Sequence, residues 1–137
     1  MNNESLELVK YWIEKAYRTL ETAKHDFKGD FLESSLDRLY YAAFYMVLAY
    51  LTLEKETFKK HSGVKSFFFR KIIKGGLLDK NYGKLYNKLY YLREEADYTP
   101  NPNFEKSEIQ VLIKETEDFI KQMEFLINQR IEILSNE

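Results

Sequence analysis

Apolar residues recur at three- and four-residue intervals along nearly the whole chain, the period of one face of an α-helix. Leu6, Val9, Ile13, Leu20, Ala23 and Phe27 form the first stripe, and Gly29-Asp30 closes it. A second helix is predicted over roughly Phe31 to Glu54. It opens with Glu33, Ser34 and Asp37, and from Leu39 onward it is apolar on every side. Such a helix must be packed all round, by its own chain or by another subunit. Residues 55–62 read as a loop. Ser62 is placed to cap a short helix from about Gly63 to Lys74, with Val64, Phe67, Phe68 and Ile72 inward. Gly75-Gly76 ends it, because glycine accepts the left-handed conformation found past helix ends. A fourth helix runs from about Asn81 to Tyr98, with Tyr82, Leu85, Leu89, Leu92 and Ala96 on one stripe. Pro100 and Pro102 stop it, since proline disfavours helix in the residue before it. Ser107-Glu108-Ile109-Gln110 is a capping-box pattern. It opens a last helix with Ile109, Leu112, Ile113, Ile120, Met123, Ile127 and Ile131 at helical spacing. Five helices on short connections predict an all-α, up-and-down antiparallel bundle. The expected organisation is a single domain over residues 1–137.

Composition narrows the chemistry. The chain is 137 residues long and 45% hydrophobic, with no cysteine. A disulfide framework, a cysteine zinc site and a thiol nucleophile are therefore excluded. His25 and His61 are the only histidines and do not form a metal-spaced pair, so no metal site is expected. Neither a Gly-rich phosphate loop nor a nucleophile elbow is present, and no cofactor is expected. The longest charge-free run, Leu39 to Leu53, has fifteen residues. A bilayer span needs about 20. The first ten residues carry charge and lack the apolar centre of a secretory signal. The expectation is a cytoplasmic protein with no membrane contact.

The net charge of −1 conceals a strong asymmetry. Residues 55–93 hold eleven basic and two acidic side chains, a local charge of +9, and the rest of the chain carries −10. Within that segment basic residues, Lys59, Lys60, Lys65, Arg70 and Lys71 among them, interleave with Phe58, Phe67, Phe68, Phe69, Tyr82, Tyr86, Tyr90 and Tyr91. Basic and aromatic residues so mixed suit contact with phosphates and bases. They equally suit a solvated helix face, or a surface that meets the acidic part of another subunit.

Three other groups carry candidate chemistry. Arg93 and Asp97, four residues apart, share a helical face and lie just before Tyr98. An arginine at the edge of an apolar stripe offers a fork of donors to a phosphate. The same spacing also makes an ordinary helix-end ion pair. Arg38, Tyr40 and Tyr41 open the long helix and could stack on a base or orient a phosphate, or could be core residues. His61, inside the basic segment at a predicted helix start, could act on a ligand or simply make a local turn contact.

Taken in order, these segments resemble a known family. Ser35-Leu36-Asp37-Arg38-Leu39-Tyr40-Tyr41-Ala42-Ala43-Phe44 is similar to a stretch of small prokaryotic HEPN-domain proteins. Lys60-His61-Ser62-Gly63-Val64, with the following phenylalanines and Gly75-Gly76, resembles their central segment. Leu92-Arg93-Glu94-Glu95-Ala96-Asp97-Tyr98 resembles their ending. The likeness covers about residues 6–130. It implies a helical bundle that forms homodimers, often paired with a minimal nucleotidyltransferase in a toxin–antitoxin system. Catalytic members are metal-independent ribonucleases, whose motif is an arginine followed four to six residues later by a histidine. Arg93 matches the arginine, but no histidine follows it, and the region reads Ala96-Asp97-Tyr98-Thr99-Pro100.

That departure bears on mechanism. Attack by a ribose 2′-hydroxyl needs an acid and a base that titrate near the working pH. Tyr98 is too weakly acidic, and an Asp97 paired to Arg93 is a poor base. His61 replaces the motif histidine only if the fold carries it to Arg93. In some pairs the nucleotidyltransferase adenylylates a tyrosine after the motif, and Tyr98 is the nearest candidate. Three functions remain open: an RNA-acting partner of a nucleotidyltransferase, a non-catalytic module that binds a nucleotide, RNA or a protein, or a purely structural homodimer with Leu39–Leu51 as its interface.

Overall fold

A computed structural model describes residues 2–100 and 103–137. Among them five helices follow one another: α1 (Asn3–Lys28), α2 (Leu32–Leu53), α3 (His61–Phe67), α4 (Lys80–Tyr98) and α5 (Lys106–Ser135). No described residue lies in a strand. Asn2 caps α1 by accepting a hydrogen bond from the Ser5 amide at 2.8 Å, and Gly29 ends it. Asp79 caps α4 by accepting from the Asn81 amide at 2.8 Å, and Pro100 follows its last turn. Pro102, the second predicted stop, lies outside the described residues. Gly76 has φ +77°, so the turn after α3 needs the freedom that glycine has.

Side-chain pairs show how the helices run. Ser35 Oγ donates to the Ala23 carbonyl at 2.9 Å, and Trp12 stacks on Tyr45. Numbers that fall along α1 as they rise along α2 make the two antiparallel. Tyr17–Glu124 and Lys24–Glu117 set α5 antiparallel to α1. Tyr82–Asp118 and Lys88–Glu108 set α4 antiparallel to α5. This is the up-and-down order expected of short connections.

The all-apolar α2 is the central helix. Leu39, Ala42, Ala43, Met46, Val47 and Ala49 are fully buried, packed by α1, α4 and α5 of the same chain. The choice left open by the sequence is thus decided for neighbours in the chain. The helix starts differ by a residue or two from the pattern. α3 begins at His61 behind Lys60 without a side-chain cap, so Ser62 falls inside the first turn. α5 begins at Lys106, one residue before the capping-box serine, also with no side-chain cap.

One irregularity escapes periodicity altogether. After Phe67 the backbone widens into a π-helical turn, Phe68–Ile73, with the Lys74 amide bonded to the Phe69 carbonyl at 2.7 Å. Phe68 and Ile72 enter the core, while Phe69 and Ile73 are only half-buried and meet α4 at Gly83. A β-carbon on Gly83 would lie 2.9 Å from the Phe69 ring, so the approach of the two helices depends on this glycine.

Candidate functional site

The opening of α2, the start of α3 and the last turns of α4 converge on Tyr40. Tyr40 is fully buried, and its ring is the common floor. The Arg93 guanidinium carbon lies 4.8 Å from the ring centroid. The His61 ring lies 5.7 Å from it, and also packs on Phe44 at 4.5 Å and Tyr41 at 5.5 Å. His61 and Arg93, 32 residues apart in the chain, therefore share one aromatic platform. Helical spacing supplies the platform: Tyr40 and Phe44 are one turn apart on α2, and Tyr86, Tyr90 and Arg93 lie on one side of α4.

Arg93 is held without being saturated. Its side chain is 11% exposed. It pairs with Asp97 at 3.5 Å, lies 5.9 Å from the Tyr90 ring, and leaves its buried Nε without a hydrogen-bond partner. The hydroxyls of Tyr40 and Tyr86 are buried beneath and also lack partners; they are near enough to influence each other, but no well-formed hydrogen bond joins them. Burial pushes the pKa of Tyr40 and Tyr86 upward, so both rings stay neutral. A cation over neutral aromatic faces keeps its charge available to an incoming anion.

His61 is held toward its neutral form. Burial lowers its pKa below 6.5, the nearby Arg93 charge lowers it further, and Asp37 pulls the other way. The imidazole is therefore mostly neutral at pH 7. Asp37 itself is engaged by Arg38 at 2.7 Å, and the Arg38 guanidinium covers the Tyr41 ring at 5.1 Å. Burial raises the Tyr41 pKa as well.

The remaining candidates scatter. Tyr98 ends α4 with 78% of its surface exposed. Lys59 and Lys60 are exposed in the loop before α3, and Arg70 and Lys71 are exposed on the π-helical turn. Lys71 belongs to a shallow pocket with Tyr50, Glu54 and Arg130, at the other end of α2 from Arg93. Lys65 does approach the site, its ammonium 4.6 Å from the centroids of both Tyr90 and Tyr91. The basic segment is thus divided between surfaces. Tyr86 and Tyr90 stood among the aromatics of the basic segment and Phe44 in the family stretch, but none was named as a site residue, although their helical spacing from Tyr40 and Arg93 carried the signal. Among the described residues no group of three or more His, Asp or Glu is arranged to hold a metal ion. No described helix is long and apolar enough to cross a membrane.

The fold and this cluster define a small all-helical bundle with an arginine and a neutral histidine that pack on the same buried tyrosine ring. The HEPN domain pattern matches residues 9–126, and the chain belongs to the HEPN family. It is 37% identical over 125 residues to a UPF0332 protein of Thermotoga maritima, covering 91% of this chain and 95% of that one. It is also similar to two proteins of Methanocaldococcus jannaschii. "Putative toxin MJ0142" is 33% identical over 120 residues, covering 87% of this chain and 82% of that protein. "Putative toxin MJ0605" is 32% identical over 123 residues, covering 90% and 91%.

Proposed function

We propose that this HEPN protein is the toxin of a toxin–antitoxin-type pair and cleaves RNA without a metal at the Arg93–His61 cluster. The observation that carries the reading is that His61 and Arg93 both pack against the Tyr40 ring. It supports His61, from α3, in the role of the base that is missing after Arg93 in the sequence. Arg93 binds a non-bridging phosphate oxygen and draws its charge. Neutral His61 takes the proton of the ribose 2′-hydroxyl. The 2′-oxygen then bonds to phosphorus as the bond to the 5′-oxygen breaks, and the departing oxygen takes a proton from water. The products are a 2′,3′-cyclic phosphate and a 5′-hydroxyl, and His61 returns its proton to solvent. Asp97 and Tyr41 act by position, the first orienting Arg93 and the second packing His61.

The partners follow from the same reading. A homodimer and a minimal nucleotidyltransferase are the expected assemblies, and the exposure of Tyr98 suits it to accept an adenylyl group. The test is RNA cleavage in the presence of a chelator, with the new ends analysed. Arg93→Met and His61→Gln should each slow cleavage by about 100-fold or more, the usual weight of such groups. Unchanged rates in either variant, or a wild type that cuts no RNA offered, would overturn the catalytic reading. The absence of a histidine after Arg93 favours a second reading, a module that binds RNA or nucleotide without turnover. In that case the wild type binds, and the Arg93 variant does not.

A further inference from the structure

A groove of about 450 Å³ lies between the π-helical turn and α4. Its floor is Phe69 and Ile73, and its rim is Lys65, Lys80, Lys84 and Asn87, with no acidic side chain among the lining residues. Lys80 and Lys84 are exposed, one turn apart on α4, and neither forms an ion pair among the described residues. The shape depends on two local features already described: the π-helical turn that directs Phe69 and Ile73 toward α4, and Gly83, whose missing side chain lets them approach.

Lys65 links the groove to the aromatic residues of the Arg93 cluster. Lys65, on its rim, lies over Tyr90 and Tyr91 and is 3.3 Å from the Tyr91 hydroxyl. Tyr90 packs edge-on against Tyr40, under Arg93. Tyr91 is 53% exposed beside Tyr90. An apolar floor, an open aromatic ring and an unneutralised basic rim together match a polyanion with flat apolar bases. They match an acidic peptide less well, because that has nothing to stack on the rings.

We propose that this groove is a flanking subsite for single-stranded RNA. The strand leaves the Arg93–His61 cluster across Tyr91 and Lys65 and enters the groove. There Lys80 and Lys84 contact backbone phosphates, and Phe69 and Tyr91 receive bases. The inference rests on the RNA reading of the Arg93 site and deepens it, since it gives the site a direction and a minimum substrate length.

The test uses the full chain and fluorescein-labelled 2′-O-methyl RNA, which binds without being cut. Oligomers of about 4 and about 12 nucleotides are compared, a range that single-strand sites commonly span. Lys80→Glu/Lys84→Glu should weaken binding of the longer oligomer about tenfold or more. The slope of log affinity against log salt should fall by about 1.4, the sum for two single-strand phosphate contacts. The shorter oligomer should bind as before, and Arg93→Met should weaken both. Lys80→Gln/Lys84→Gln should behave in the same direction with a smaller loss. An unchanged salt slope for the longer oligomer, or an equal loss on both lengths, would overturn the subsite. If Arg93→Met still weakens both oligomers in that event, the RNA reading of the main site survives alone. A wild type that binds neither oligomer would overturn both. Displacement of a glutamate-rich peptide from the groove, with no gain in RNA affinity from length, would assign the groove to protein and refute the proposal.

Discussion

Replacing Arg93 by methionine separates a residue kept for a ligand from one kept for the fold. Methionine retains most of the apolar stem and removes only the charged fork. The interactions lost are modest. A guanidinium 4.8 Å from the Tyr40 centroid and 5.9 Å from that of Tyr90 contributes roughly 0.5–2 kcal/mol. The ion pair at 3.5 Å, with Asp97 40% exposed and four residues away, adds about 0.3–0.5 kcal/mol. Against these stands the buried Nε without a partner, which costs about 1–3 kcal/mol. The two sides nearly cancel, so Arg93→Met should change stability by no more than about 1 kcal/mol in either direction. The assay is urea unfolding followed by circular dichroism, with the slope m checked for constancy. RNA affinity and cleavage measured on the same preparation should fall sharply. A loss beyond about 3 kcal/mol at unchanged m would refute the reasoning, because it would make Arg93 a clamp between α2 and α4.

Two other outcomes follow from the same geometry. The folded-state pKa of His61 lies below its unfolded value of 6.5, so the folded protein binds fewer protons in that interval. Its contribution to stability is therefore fully present above pH 6.5 and declines as pH falls through 6.5 toward the lowered value. His61→Gln should flatten the curve of Tm against pH on the acid side; superimposable curves for variant and wild type would contradict the burial argument. Gly83→Ala gains up to about 1 kcal/mol of helix propensity but forces a methyl to within 2.9 Å of Phe69 and 3.3 Å of Ile73. Overpacking of that kind costs about 1–3 kcal/mol, so a net loss is expected in thermal unfolding. A more stable variant would mean that the groove wall yields freely.

The order and extent of the helices were legible in the chain, because they depend on local signals. Gly29-Asp30, Gly75-Gly76 and Pro100 end helices by backbone preferences that need no partner. Of the α4 stripe, Leu85, Leu89 and Ala96 are buried as the spacing demands, while Tyr82 and Leu92 are half-buried. The family likeness was equally a matter of residues in order, and residues 9–126 carry it. Caps were less legible: Ser62 and Ser107 each missed by a position or two, since a short polar side chain near a helix start suits several neighbouring roles.

A five-helix bundle, a basic segment and an arginine lacking its histidine follow from order along the chain. The remainder came from packing. It surrounded α2 with its own chain, because a helix apolar on every face is satisfied by any neighbours that bury it. It divided the lysines among surfaces, since a local net charge says nothing of where each side chain points. Above all it set His61 and Arg93 against the same tyrosine ring. Their separation in the chain is bridged only because α3 and α4 both pack against the start of α2, and Tyr40 offers each of them the same ring. Contacts of that kind arise from packing across elements, and no periodicity within one element encodes them.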